Sequence, residues 1–98
     1  MIVRGNGVQM NPVLMDLVVR LAATVDELLD DDKYARGAQK VLESMVADLE
    51  KLDPDERREL VAHVQGMAAQ ADRNPLASDG YRRFLAEFPT GFGIVAED

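Results

Sequence analysis

Five carboxylates crowd into seven residues at Asp26-Glu27-Leu28-Leu29-Asp30-Asp31-Asp32. On a helix, Asp26, Glu27 and Asp30 stand at i, i+1 and i+4, a spacing that can hold Mg²⁺ and, through it, a pyrophosphate. Without a metal, the same cluster reads as a solvated helix junction or as an acidic patch that faces a partner. The single histidine, His63, follows Glu59 by four residues, the interval at which a carboxylate and an imidazole meet on one helix face. One such pair with no further histidine is common on ordinary helices, so the expectation is a half-exposed side chain with a weak charge contact. Nucleophilic catalysis has little to draw on. Ser44, Ser78, Thr24 and Thr90 sit in no strand–turn–helix elbow, and the chain has no cysteine. Gly5-Asn6-Gly7 lacks the spacing and lysine of a phosphate loop.

The spacing of Asp26, Glu27 and Asp30 resembles the acidic motif of small all-α nucleotide pyrophosphatases, and also the aspartate-rich motif of isoprenoid synthases. The second resemblance implies a far longer chain with another acidic motif, and a length of 98 residues excludes it. The first implies Mg²⁺ and further acids on a neighbouring helix that face the first set. An antiparallel second helix instead offers Lys33, Arg36 and Lys40 near the junction. Glu43 falls about 16 Å along the axis from Asp32, at 1.5 Å per residue.

Aromatic residues are the other uneven feature. Tyr81, Phe84, Phe88 and Phe92 make four of the five aromatics and fall within twelve residues. Steps of three and four put the first three on one helix face, and Phe92 follows on a glycine-flanked tail. Two readings stay open: a lid on the core, or an anchor for a partner or a second copy of the chain.

These groups need elements to hold them, and helix signals are plain. Asn11-Pro12 opens a first helix, with Leu14, Leu17, Val18, Leu21, Val25 and Leu28 as its stripe; Val13, Met15, Val19 and Ala22 widen that stripe, which predicts the most buried helix. Asp31 or Asp32 caps a second, carrying Tyr34, Ala38, Val41, Leu42, Met45, Leu49 and Leu52. Gly37 weakens it by about 1 kcal/mol relative to alanine, which a close helix contact or a fraying first turn would explain. Asp53-Pro54-Asp55-Glu56 is a capping box with proline at the first position, and Asn74-Pro75 ends the third helix. A short fourth helix is expected from Ser78 or Asp79 to Phe88, with Pro89, Gly91 and Gly93 breaking it. The sequence shows no internal repeat, heptad array or low-complexity tract. The expected architecture is all-α: one domain over residues 1–98, a small antiparallel bundle of three long helices and a short C-terminal one. Residues 1–10 are expected to be loose, to form a short strand through Ile2-Val3 or to lie along the bundle, and 89–98 to be an irregular tail.

Composition bounds the function. There are 18 acidic and 11 basic residues, a formal charge of −7, and six of those seven net charges fall in residues 26–59. That sign repels phosphate backbones, so neither nucleic acid nor an anionic membrane is an expected partner. Arg57-Arg58 and Arg82-Arg83 are the one foothold for DNA, and acids flank both pairs. Asp16 and Arg20 interrupt the apolar run from Val13 to Val25, so no membrane span or signal peptide is expected. The absence of cysteine fits a reducing cytoplasm, and the arginine- and alanine-rich composition fits a bacterial source. The expected function is a non-enzymatic binding module: an inhibitor, adaptor or accessory subunit with a basic protein partner. It would engage that partner through Asp26, Glu27, Asp30, Asp31, Asp32, Tyr81, Phe84, Phe88 and Phe92, with no cofactor. Size and acidity resemble those of bacterial immunity proteins that neutralise basic nuclease toxins. The alternatives are a Mg²⁺-dependent hydrolase through Asp26, Glu27 and Asp30, and a homodimer or larger homo-oligomer formed through the aromatic surface.

Overall fold

The computed structural model of the chain describes residues 10–94. It is all-helical, with four helices: α1 (Pro12–Glu27), α2 (Ala35–Leu49), α3 (Pro54–Asp72) and α4 (Asp79–Gly91), and no strand among the described residues. The strand considered at Ile2-Val3 lies outside those residues. α3 packs chiefly on α4 and α1 on α2, while α1 also reaches α3 and α4.

Helix starts follow the local chemistry. Asn11 Oδ1 accepts from the backbone N–H of Val13 at 2.8 Å and of Leu14 at 3.3 Å, and Pro12 fills the first helical position. The Asp53–Glu56 capping box closes in both directions, at 2.8 and 3.0 Å. Ser78 Oγ accepts from the Tyr81 N–H at the start of α4. The α1–α2 junction is less regular. Carboxylates at Asp26 and Glu27 meet the negative end of the helix dipole, and α1 tightens there into a 3-10 turn, Leu28–Asp30. Asp31 accepts from the Lys33 N–H at 2.8 Å and sets up the following turn, but α2 proper starts only at Ala35, with Tyr34 at its cap and no side-chain bond. At Gly37 an added Cβ meets nothing within 4 Å, so no close helix contact requires glycine there.

Two expectations change. α4 does not stop at Phe88; it runs through Pro89 to Gly91, and at 13 residues it is close to the 15 of α2. Proline forfeits one hydrogen bond but has a helical φ, and the apolar side chains beyond it draw the last turn inward. The end is a Schellman motif: Gly93 at φ 69° donates to the Thr90 carbonyl, and Ile94 donates to that of Pro89. Ile94 is thereby buried. Second, α1 is not the most buried helix. It buries Met15, Val19, Ala22 and Ala23 and leaves Val13, Leu14, Leu17 and Leu21 exposed, as is Leu28 in the turn that follows. The core is filled from elsewhere. Phe88, Leu60, Leu85, Ile94, Val19 and Val64 are its largest fully buried side chains.

Candidate functional site

An open cleft of about 520 Å³ lies between the C-terminal end of α1, α2 and α4. Ala23, Leu42, Val46, Phe84, Phe88 and Phe92 give it an apolar lining. Around them stand, among the described residues, five carboxylates, Asp26, Glu27, Asp30, Glu43 and Glu87, and one basic residue, Arg83.

The aromatic wall follows from the extra turn of α4. Phe84, Phe88 and Phe92 are spaced by four, so continuing the helix past Pro89 carries Phe92 onto the same face. The Phe88 and Phe92 rings stack at 4.3 Å between centroids, and Phe84 meets both edge-on at 5.6 and 6.2 Å. Phe88 and Phe92 are 1% and 8% exposed, so these two belong to the core rather than to an exposed anchor surface. Phe84 and Tyr81 stay half-buried on the cleft.

The acidic side is electrostatically crowded. Partial burial, then the neighbouring carboxylates of Asp30, Glu87 and Glu27, push the Asp26 carboxyl above the usual aspartate value. Among the described residues no ion pair joins Lys33, Arg36 or Lys40 to these acids. Lys33 instead lies over the Tyr34 ring, 5.4 Å from its centroid. Also among the described residues, no three carboxylate or imidazole groups converge closely enough to hold a metal ion.

Seven of the nine residues singled out in the sequence thus line one cleft: Asp26, Glu27, Asp30, Tyr81, Phe84, Phe88 and Phe92. Asp31 and Asp32 do not; both are exposed in the junction turn. Glu43, Glu87 and Arg83 complete the rim and were not singled out. Glu43 is far from Asp32 along the helix axis, but the cleft gathers Asp26 and Asp30 instead. Glu87 lies three residues beyond Phe84, a spacing that put an acid beside the aromatic face.

The pairing expected for the histidine resolves differently, and the arginine pairs find local partners. His63 does not pair with Glu59. Its Nε2 lies 2.9 Å from Asp16 Oδ1 on α1, while Glu59 accepts from the Met10 N–H at 2.8 Å. The hydrogen bond with His63, with help from Arg20, holds the Asp16 carboxyl below its usual value against the effect of partial burial. Arg57 donates to the carbonyls of Leu52 and Glu50, and Arg82 to those of Ala71 and Asn74. Both guanidinium groups are engaged at the C-terminal ends of the preceding helices. Arg58 pairs with Asp55, which leaves Arg83 as the arginine on the cleft. No helix among the described residues is long and apolar enough to cross a membrane. No family model, curated protein or solved structure matches this chain.

Proposed function

We propose that the chain is a non-enzymatic protein-binding module, of the inhibitor, adaptor or accessory-subunit kind, working in the cytoplasm as an antiparallel bundle. Its cleft takes a basic segment of a partner protein that carries an apolar side chain. The observation that carries this reading is the meeting of five carboxylates and an aromatic wall in one open cleft. A cationic group at the rim relieves the mutual repulsion that raises the Asp26 carboxyl, and an apolar side chain beside it covers the exposed part of Phe84. Attraction of this sign speeds encounter and weakens as salt rises.

Affinity co-purification from the native host at low and moderate salt tests the proposal. A partner captured by the wild type should be lost when Asp30→Lys and Glu87→Lys are combined, and retained with Asp48→Lys on the exposed surface of α2. Equal capture by all three, or none by any, overturns the reading.

A second reading is Mg²⁺-dependent pyrophosphate chemistry through Asp26, Glu27 and Asp30; Glu43 and Glu87 line the same cleft, and a metal would have to draw these carboxylates together, since no three converge closely enough among the described residues. Calorimetry with Mg²⁺ and a screen of nucleoside triphosphates test it. Absence of both binding and turnover removes it.

A further inference from the structure

The strip of α1 turned away from the cleft carries no charge. Taken at 100° per residue, Leu14, Leu17, Val18, Leu21, Val25 and Leu28 cover one arc, while Asp16, Arg20, Asp26 and Glu27 lie outside it. The centre of the arc is about 180° from the α1 residues that line the cleft, at the same rotation per residue. The strip is unusually bare. Leu14, Leu17 and Leu21 are 58%, 50% and 53% exposed, and neighbouring Val13 reaches 72%. Beside it an apolar groove of about 350 Å³, formed by Leu14 and Val18 with Leu49 and Leu52, joins α1 to α2.

We infer that this strip is the contact between two copies of the chain, formed α1 against α1 across a two-fold axis near Leu21. Three observations select a second copy as the occupant. The first is register. Leu14, Leu21 and Leu28 are spaced by seven, with Leu17 and Val18 between the first pair and Thr24 and Val25 between the second. A two-fold axis at Leu21 sets Leu14 against the partner copy's Leu28 and closes the contact on itself. The one hydroxyl in the strip, Thr24, already donates to the Arg20 carbonyl at 3.0 Å, so it needs no water.

The second observation is charge. Two chains of charge −7 repel over most of their surfaces, and this uncharged strip lets them meet without bringing carboxylates together. A basic partner finds no counter-charge here and is drawn to the cleft.

The third is area. Val13, Leu14, Leu17, Leu21 and Leu28 together expose on the order of 450 Å² of apolar surface, within the range of the largest patch on a typical monomer. The adjoining groove extends it toward the roughly 800 Å² per partner of a standard interface. The dimer leaves two clefts open on its outer sides.

Sedimentation analysis from about 1 to several hundred micromolar, at moderate salt, tests the inference. The wild type should dimerise. Leu21→Glu, which sets two carboxylates against each other at the axis, should raise the dissociation constant at least about 100-fold with helical circular dichroism unchanged. Because the chain has no cysteine, Leu21→Cys supplies one thiol per copy and, with dissolved dioxygen as the oxidant, should form a disulfide-linked dimer much faster than Gln65→Cys on the exposed surface of α3. A wild type that stays monomeric at several hundred micromolar overturns the proposal, whatever else covers the strip. So does a dimer that Leu21→Glu leaves intact, or equal cross-linking of the two cysteine variants. A Leu21→Glu chain that loses its helical signal without association in the wild type assigns the strip to an intramolecular contact, and overturns it equally.

Discussion

α4 and α1 are both amphipathic helices with an apolar stripe, yet they use their large side chains in opposite ways. α4 buries Leu85 and Phe88 and ends by folding Phe92 and Ile94 into the same core. α1 buries one methionine, one valine and two alanines, while three leucines and a valine stay exposed. The difference lies in what covers each helix. α4 lies on the long α3 and brings an aromatic cluster to the middle of the molecule. α1 has apolar residues around more than half its circumference, and only one side of it meets the other helices. A hydrophobic stripe therefore predicts that a helix forms; it does not predict that the molecule itself supplies the cover.

Substitutions can break this contrast, and the largest effect is expected at its centre. Phe88→Ala should cost about 3–5 kcal/mol in urea unfolding, because a fully buried ring leaves a cavity. Leu21→Ser, measured where the chain is monomeric, should change stability by less than about 0.5 kcal/mol, as surface substitutions do. A comparable loss at both positions would abolish the distinction between the two helices.

Next comes the corner that ties α4 to α3. Arg82→Ala removes charged donors from the carbonyls of Ala71 and Asn74 and should cost about 1–3 kcal/mol by the same measurement. On the less covered side, Gly37→Ala should stabilise by up to about 1 kcal/mol, since the new methyl meets open space and the helix gains a better former.

The smallest effect concerns the link between α1 and α3. The Asp16 carboxyl is held below its unfolded value, so its contribution is present above about pH 4. It is lost as pH falls through the lower, folded-state value. Asp16→Asn should therefore be less stable than the wild type at pH 7, by about 0.5 kcal/mol for a partly exposed pair. The two should converge in urea titrations once the pH lies below that folded-state value. A gap that persists in acid would point to the geometry of the hydrogen bond rather than the charge.

Much of this was legible in the sequence because it is local. Asn11-Pro12 and Asp53-Pro54-Asp55-Glu56 specify their helix starts through bonds reaching only two or three residues, and the structure forms them. The acidic run and the aromatic group were visible as candidates by composition alone. Their meeting in one cleft was not, because it depends on how α2 and α4 pack against the end of α1. The same holds for His63. Its sequence neighbour Glu59 was the natural partner, but Asp16, 47 residues away, takes it through helix packing. Pro89 misled for a physical reason. Its ring suggests a stop, whereas in the last turn the lost bond is outweighed by burial of the apolar residues on either side.

The arginine forks have a consequence for where the fold opens. Arg57 fastens the α2–α3 corner and Arg82 the α3–α4 corner, each gripping two carbonyls through one guanidinium fork. Among the described residues no such clasp closes the α1–α2 corner, which rests on the Asp31 turn. Amide exchange should accordingly spread from residues 28–34 into the neighbouring turns of α1 and α2 at free energies below that of global unfolding. Because Asp26 and Asp30 flank that corner and line the cleft, its opening is expected to widen the cleft while the other two corners stay shut.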